Sequence, residues 1–104
     1  MTIRYRPAAI SDMEHTSNYI ADTLGNPTAA QALRERLLRS ISLLRDNPHL
    51  GTPLAGKYEG LDTPIRYLVV SKQLVFYEVH ADWTEVVRIL DGRTDYLSHL
   101  YENA

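Results

Sequence analysis

The chain has 104 residues, the length of one ordinary domain, of which 44% are hydrophobic and 23% are charged. This balance is typical of soluble globular proteins and disfavours disordered and fibrous classes, so we expect a single domain over residues 1–104. No apolar run approaches the roughly 20 residues that span a bilayer. The start, MTIRYRPAAISDMEH, lacks the apolar stretch of a signal peptide, and we therefore expect a cytoplasmic protein.

Residues that form disulfides or bind metals are sparse. The chain has no cysteine, which leaves no disulfide framework and no thiol chemistry. The four histidines, His15, His49, His80 and His99, lie too far apart to form a local metal motif. We expect no structural metal and no cofactor.

The net charge of −2 is distributed unevenly along the chain. Residues 1–56 carry six arginines against five acidic residues, whereas residues 57–104 carry five cations against eight acidic residues. A protein that binds nucleic acid through its C-terminal half would normally show the reverse balance, because lysine and arginine contacts to phosphate dominate such affinity. The charge pattern therefore argues against an RNA-cleaving function.

The first two predicted elements are a short strand and a helix. Apolar and polar residues alternate from Ile3 to Arg6, before Pro7, as in a short edge strand. Ser11 with Glu14 three residues later matches a capping box, and apolar residues behind it lie close to one helical face. We expect the first helix over residues 11–24.

A second helix follows after a very short connection. Gly25 ends the first helix, and Asn26 as N-cap with Pro27 at the first helical position begins the next. Its apolar stripe consists of Leu33, Leu37, Ile41 and Leu44. The helix should end near Asp46, before Asn47-Pro48. Two helices joined so closely must be antiparallel neighbours, so we expect a helical hairpin.

The sequence period then changes from helical to strand-like. Prolines and glycines punctuate a loop after the hairpin, and three apolar runs follow over residues 65–70, 74–79 and 85–90. The turns between these runs are short, which forces antiparallel pairing into a meander. With a short C-terminal helix over residues 94–101, the elements predict an α+β domain of order β-α-α-β-β-β whose helical hairpin covers one face of the sheet.

Three segments, taken in order, carry a family resemblance. They are LLRDNPHLGTPL at the end of the second helix, the strand LVFYEV, and the strand exit VVRILDGRTDY. Their order and spacing resemble the RelE/ParE superfamily of bacterial toxins from type II toxin-antitoxin modules, over nearly the whole chain. The resemblance implies a helical hairpin packed on an antiparallel sheet. It also implies a cognate antitoxin as partner, a disordered segment of which orders on binding.

The superfamily divides by target. RelE-like members are ribosome-dependent endoribonucleases, whose reaction needs a proton acceptor, cations that neutralise the phosphorane and an acid for the leaving oxygen. ParE-like members share the fold, inhibit DNA gyrase and need no catalytic residue of their own. The resemblance therefore implies one of two further partners, either DNA gyrase or the ribosome with its mRNA.

Several positions depart from the ribonuclease pattern. Leu74 stands where RelE-like members have an arginine in a sheet strand, and Arg66 and Lys57 stand in place of a pair of lysines. Tyr96 or Tyr101 is similar to their C-terminal tyrosine. Together with the long paired helices and the acidic C-terminal half, these departures favour a ParE-like toxin that inhibits DNA gyrase.

Under the endoribonuclease alternative, the catalytic residues are Arg93, Tyr96 and His99. Arg93 would stabilise the phosphate, and Tyr96 or His99 would carry the proton. Each residue also has a structural interpretation. Arg93 and Asp95 can pair with each other or cap the next helix. Tyr96 lies at a helical spacing typical of packing residues, and His99 is by default a solvated helix residue.

Under the gyrase hypothesis, the same region is a binding surface. Its candidate residues are Arg66, Arg88, Arg93, Asp95 and Trp83. We expect Arg66 and Arg88 as neighbours on the open side of the sheet, joined there by Glu78. Trp83, at a turn, belongs either to the antitoxin surface or to the edge of the core. A third hypothesis is a family member that binds its antitoxin and is not toxic.

Overall fold

The computed structural model describes residues 1–101. The helices are α1 (Pro7–Asn18), which continues as a π-helical turn at Tyr19–Thr23, α2 (Pro27–Ser42), which ends in a 3₁₀ turn at Leu43–Arg45, and α3 (Tyr96–Tyr101). The strands are β1 (Thr2–Tyr5), β2 (Thr52–Pro53), which precedes a 3₁₀ turn at Leu54–Gly56, β3 (Arg66–Val70), β4 (Gln73–Val79) and β5 (Trp83–Asp91). None of these helices has both the length and the apolar character needed to cross a membrane.

The strands form one sheet in the order β1-β5-β4-β3-β2. The three central strands make the predicted antiparallel meander, in which Leu74 pairs with Val69 on one side and Leu90 on the other. β1 lies at the edge, as predicted, and runs parallel to β5, with Ile3 opposite Thr84. The structure confirms the predicted α+β domain, a helical hairpin on a mostly antiparallel sheet with a short C-terminal helix.

Each face of the sheet carries its own apolar core. The helical hairpin covers one face, where Leu37 of α2 packs with Val75 and Tyr77 of β4. On the opposite face, Phe76 packs with Tyr96 of α3. Successive strand residues point to opposite faces, so β4 is apolar on both sides. This is why residues of β4 show no polar and apolar alternation in the sequence.

The first helix begins earlier than predicted. Pro7 occupies its first turn, where the missing N–H would have had no partner within the helix, and the N-cap residue Arg6 makes no side-chain capping bond. Ser11 and Glu14 therefore lie inside α1, and the predicted capping box is wrong. The fixed backbone angle of proline, which suits a helix start, decided the boundary.

The junction between the two long helices has the predicted chemistry. Gly25 adopts a positive φ of 64°, a conformation that favours glycine and ends the helix before it. The Asn26 side chain accepts a hydrogen bond from the Ala29 N–H at 3.0 Å, and Pro27 occupies the first turn of α2. Because the connection is this short, the hairpin geometry is fixed by the local sequence.

β2 was not predicted, and Gly51 explains how it fits against the sheet. The Gly51 N–H donates to the Tyr77 hydroxyl at 2.8 Å. A Cβ at this position would lie 2.6 Å from the Tyr67 carbonyl oxygen and 2.7 Å from the Tyr77 hydroxyl, closer than packing permits. The chain can therefore approach β3 and β4 only with glycine here. Elsewhere the boundaries shift slightly, since β5 begins at Trp83 and α3 at Tyr96.

Candidate functional site

The exit of β5 is a closed local turn. The Gly92 N–H donates to the Lys72 carbonyl at 2.9 Å, and the Thr94 N–H donates to the Asp91 carbonyl at 3.0 Å. The Arg93 side chain donates to the Asp91 carboxylate from Nε at 2.9 Å and from Nη2 at 2.7 Å. The Arg93 backbone N–H donates to the same carboxylate at 2.8 Å. Arg93 and Asp91 therefore form one compact ion pair.

This pairing determines what Arg93 and its neighbours can do. The Arg93 guanidinium, helped by the Arg93 N–H, lowers the pKa of Asp91 to about 2. The Arg93 side chain is nevertheless 76% exposed, and its Nη1 makes no hydrogen bond within residues 1–101. The alternative pairing of Arg93 with Asp95 does not form: Arg93 pairs with Asp91, and Asp95 accepts a hydrogen bond from Ser98 Oγ at 2.6 Å. Arg93 remains free to bind an acceptor on a partner.

Arg88 joins three elements at the outer edge of β5. It donates to both carboxylate oxygens of Asp12 in α1, from Nε at 2.7 Å and from Nη2 at 2.8 Å. Its Nη1 donates to the His99 carbonyl of α3 at 3.2 Å, and the Ile89 N–H donates to the same Asp12 carboxylate at 2.9 Å. Only 23% of the Arg88 side chain is exposed. Its contacts are those of a structural residue.

Arg66 of β3 binds the backbone of the loop that leads into β2. Its Nε donates to the Gly51 carbonyl at 3.2 Å and its Nη2 to the His49 carbonyl at 3.1 Å. These bonds hold the loop beside β3, next to the point where the Gly51 N–H binds the sheet. Arg66 therefore acts on the backbone of its own chain.

The prediction that Arg66 and Arg88 are neighbours on one open face is wrong. Arg66 pairs with Tyr77, whose side chain lies in the core under the helical hairpin. Arg88 pairs with Phe76, whose side chain lies in the core under α3. Directly paired residues share a face, so the two arginines originate on opposite faces. Glu78 forms an ion pair with a third arginine, near the N-terminus, and pairs with neither Arg66 nor Arg88.

Tyr96 lies in the core under α3, with 7% of its surface exposed. Its ring centroid is 5.2 Å from that of Phe76, and its hydroxyl is hydrogen-bonded to the Tyr58 hydroxyl. That bond raises the pKa of Tyr58. Lys57 Nζ lies 5.7 Å from the Tyr96 ring centroid, and its contact with the Tyr96 hydroxyl raises the pKa of Lys57. The surroundings of Tyr96 are those of a packing residue whose hydroxyl has a partner.

The other aromatic residues of α3 are not gathered around Arg93. His99 is exposed, and its side chain makes no hydrogen bond or ion pair within the described chain. The Tyr101 hydroxyl donates to Thr63 Oγ1 at 2.7 Å, which ties the end of α3 to the loop before β3. Within residues 1–101, no hydrogen bond joins the side chains of Arg93, Tyr96 and His99 to one another.

Trp83 lies in a stack of side chains at the start of β5. The Arg4 guanidinium carbon is 4.5 Å from its ring centroid, and the His80 ring stacks on it at 4.0 Å with 19° between the planes. His80 Nε2 is in turn 3.7 Å from a Glu85 carboxylate oxygen. Sequence reasoning missed Arg4, because its contact with Trp83 depends on the parallel pairing of β1 with β5.

Comparison with known proteins identifies the family. The model of the ParE toxin of type II toxin-antitoxin system, parDE, matches residues 3–96. The chain belongs to the ParE toxin family. Its fold is similar to a solved structure described as the chromosomal ParDE TA system from P. aeruginosa, with a TM-score of 0.73 and 16% sequence identity over 88% of this chain and 95% of that chain. No curated protein matched the sequence.

The family match confirms the predicted resemblance to the ParE-like subgroup. Leu74 occupies the strand position at which RelE-like members have an arginine. Leu74 is buried in the core under α3, together with Val87 and Tyr96. A cationic side chain at this position would have to enter that core. β4 therefore presents no cation on the face of the sheet that α3 covers.

Proposed function

We propose that this ParE-family chain is the toxin of a type II toxin-antitoxin module that inhibits DNA gyrase, and so DNA replication, in the bacterial cytoplasm. A cognate antitoxin neutralises it. The family match over residues 3–96 supports the toxin component. The observation that favours DNA gyrase over the ribosome as the target is the environment of Tyr96, which is buried and hydrogen-bonded to Tyr58.

Cleavage of mRNA would need an acid, a base and cations that converge on one phosphate. Tyr96 is enclosed, Arg93 is held by Asp91, and the exposed His99 has no group beside it that would orient its ring. Leu74 supplies apolar surface where the endoribonucleases have a cation. This arrangement supports inhibition by binding over inhibition by catalysis.

A protein that inhibits by binding needs accessible anchors rather than aligned catalytic groups. Arg93 provides a mostly exposed guanidinium at the strand exit, and Trp83 with Arg4 provides an aromatic and cationic pair at the other end of β5. Arginine and tryptophan are the residue types enriched among dominant interface contacts. Apolar side chains such as Leu24 and Val69 are also exposed, which suits an antitoxin that covers the toxin.

One observation favours the endoribonuclease as a second candidate. Lys57 Nζ lies 5.2 Å from the Tyr67 ring centroid and 5.7 Å from that of Tyr96, so a cation and three tyrosines, including Tyr58, meet at one place. A lysine near a tyrosine hydroxyl is a usable pair for proton transfer. For that chemistry, α3 would have to move and release Tyr96.

The first experiment is pulse labelling of DNA synthesis and protein synthesis in bacteria after induction of this chain alone. Gyrase inhibition predicts that DNA synthesis falls first, with DNA-damage signalling. An earlier fall in translation, with mRNAs cut within codons, would replace the proposal by the endoribonuclease. Unimpaired growth at confirmed expression would instead indicate the non-toxic antitoxin-binding member.

Purified protein allows a sharper comparison. We expect the chain to inhibit supercoiling by purified gyrase, and the variant Tyr96→Phe to inhibit equally, because phenylalanine keeps the ring packing and removes only the hydroxyl. An endoribonuclease that relies on the Tyr96 hydroxyl predicts the opposite. It predicts no effect on gyrase, and a loss of ribosome-dependent mRNA cleavage in Tyr96→Phe with thermal stability maintained.

A further inference from the structure

A cavity of about 260 Å³ lies between the tip of the helical hairpin and the end of the sheet. One wall is apolar and includes Ile20, Leu24 and Leu33, and the opposite wall includes Lys72, Gln73 and Arg93. This volume is below the roughly 300–1,000 Å³ of sites that enclose drug-sized ligands. The cavity therefore suits one or two side chains of a peptide better than a whole cofactor.

Gln73 is the residue that points to a ligand. It is 6% exposed, and its side-chain Oε1 is buried without a hydrogen-bond donor in the described chain. A buried amide oxygen without a partner is costly, and such groups in folded proteins call for an explanation. Gln73 also lines the cavity, and rotation of its side-chain amide would present this oxygen to a donor that enters there.

The backbone around the cavity has two unusual features. Ser71 and Lys72 form the turn between β3 and β4 with positive φ angles of 47° and 69°, although neither is a glycine or an asparagine. Arg36 holds this turn through a hydrogen bond to Ser71 Oγ. On the opposite side, the π-helical turn Tyr19–Thr23 carries Ile20, and such turns are frequent at functional sites.

The charges around the cavity favour an anionic group. Lys72 and Arg93 both line it, whereas its one acidic lining residue, Asp91, is already paired with Arg93. Arg36 adds a further positive charge at the turn. This surplus of positive charge is confined to the cavity region, since the whole chain has a net charge of −2. A carboxylate beside an apolar side chain would match both walls.

We propose that this cavity binds an acidic peptide segment of a protein partner. An aliphatic side chain of the peptide packs against Ile20, Leu24 and Leu33. A neighbouring carboxylate lies at Lys72 and Arg93, where charge-assisted hydrogen bonds are strongest. A peptide N–H donates to Gln73 Oε1. The proposal rests on the cavity and does not depend on gyrase as the target.

The test is an NMR titration of the ¹⁵N-labelled full chain with the capped peptide acetyl-Gly-Asp-Leu-Glu-Gly-amide. We expect saturable shifts confined to the backbone amides of residues 19–24, 71–73 and 91–93. A peptide with glycine in place of leucine, and one with lysines in place of both acids, should each bind about fivefold or more weakly. Equal binding of the lysine peptide, or shifts centred elsewhere, would overturn the proposal.

Three variants and two matched controls separate binding from folding. Gln73→Leu should weaken the peptide about fivefold, and its melting temperature should be equal to or above that of the wild type, because the unpaired oxygen is gone. Leu24→Asp should abolish binding, whereas Leu43→Asp, a similarly exposed leucine outside the cavity, should not. Arg93→Gln should weaken binding, and its matched control Arg34→Gln should not.

The outcomes that contradict the proposal are distinct from a failure of gyrase inhibition. If Gln73→Leu lowers the melting temperature and leaves peptide affinity unchanged, the amide serves the fold through water. If the same peaks shift when the protein alone is concentrated, the cavity is a contact between copies of the chain. If acetate alone reproduces the shifts at equal concentration, the site binds simple anions and no peptide.

Discussion

Two arginines in the same part of the ParE-family chain make the same type of bond and serve different ends. Arg88 and Arg93 each donate from Nε and Nη2 to one aspartate, with all four distances between 2.7 and 2.9 Å. The partner of Arg88 is Asp12, 76 positions away in α1, whereas the partner of Arg93 is Asp91, two positions away. The side chains are 23% and 76% exposed respectively.

The difference shows that hydrogen-bond geometry alone does not identify a functional arginine. The Asp12 carboxylate also receives the Ile89 N–H, so it satisfies the edge of β5 and fixes α1 against the sheet. The Asp91 carboxylate only closes the turn that contains Arg93. Exposed pairs contribute little to stability, so evolution can use the exposed one for binding at small cost to the fold.

The largest effect should come from Asp12→Ala. This variant leaves the partly buried Arg88 charge and the Ile89 N–H without their partner, and we expect the free energy of unfolding to fall by about 2–4 kcal/mol. Asp91→Ala should cost less, because both members of that pair are more exposed than Arg88 and Asp12, and solvent reaches the Arg93 side chain that remains. Urea denaturation at pH 7 measures both. Equal losses would remove the distinction between the two pairs.

A double-mutant cycle separates each pair from the surroundings. For Asp12→Ala with Arg88→Ala, we expect a coupling energy of about 1.5–3 kcal/mol, typical of hydrogen bonds to charged groups in partly buried sites. For Asp91→Ala with Arg93→Ala, we expect a clearly smaller coupling energy, because solvent screens the exposed Arg93 side chain. A coupling at the strand exit as large as that at Asp12 would mean that Arg93 contributes to the fold and is not reserved for a partner.

The pH dependence of the Asp91 contribution has a defined sign. The pKa of Asp91 is about 2 in the folded chain, below its ordinary value of 3.8, so the folded state favours the carboxylate. Its stabilising contribution is present above pH 3.8 and is lost as the pH falls through about 2. The stability difference between the wild type and Asp91→Asn should therefore narrow from pH 4 to pH 2, as followed by thermal unfolding.

Asp95→Asn is the matched control for that experiment. Asp95 is exposed and accepts a hydrogen bond from Ser98, so Asp95→Asn removes a carboxylate from the same segment without breaking the pair of Asp91 with Arg93. An NMR titration of the Asp91 carboxyl gives a direct check. Its midpoint should lie near 2 in the wild type and rise toward 3.8 in Arg93→Gln.

Local signals in the sequence predicted most of the fold. The glycine, asparagine and proline at residues 25–27 fix the hairpin, and apolar runs with short polar turns require an antiparallel meander. At the start of α1 the Ser11 and Glu14 pattern was misleading, because Pro7 begins the helix four residues earlier. β2 escaped prediction because its two residues are held by Gly51 and Arg66, contacts that no periodicity reveals.

The site was less predictable, because its residues are sorted by contacts between distant segments. Asp12 occupies a polar position of α1 and gave no sign of its bond to Arg88. Tyr96 was correctly suspected of packing, since its spacing in α3 is helical, but its bond to Tyr58 depends on how the loop folds back. The environment of Arg93 was the nearest to predictable, because its partner lies in the same turn, although the ion pair considered from the sequence was with Asp95 and not with Asp91.

The smallest effect on stability is expected for Arg93→Ala, and it is the most informative one for function. The side chain is 76% exposed, so the free energy of unfolding should stay close to that of the wild type. If gyrase inhibition falls severalfold while stability is unchanged, Arg93 acts on the partner. Arg88→Ala should show the opposite pattern. Its stability should fall strongly, and its gyrase inhibition should fall only in proportion to the fraction of protein that is unfolded. If Arg93→Ala inhibits gyrase as well as the wild type, the docking surface lies elsewhere. The next site to alter is then the pair formed by the half-buried Trp83 of β5 and the exposed Arg4 of β1.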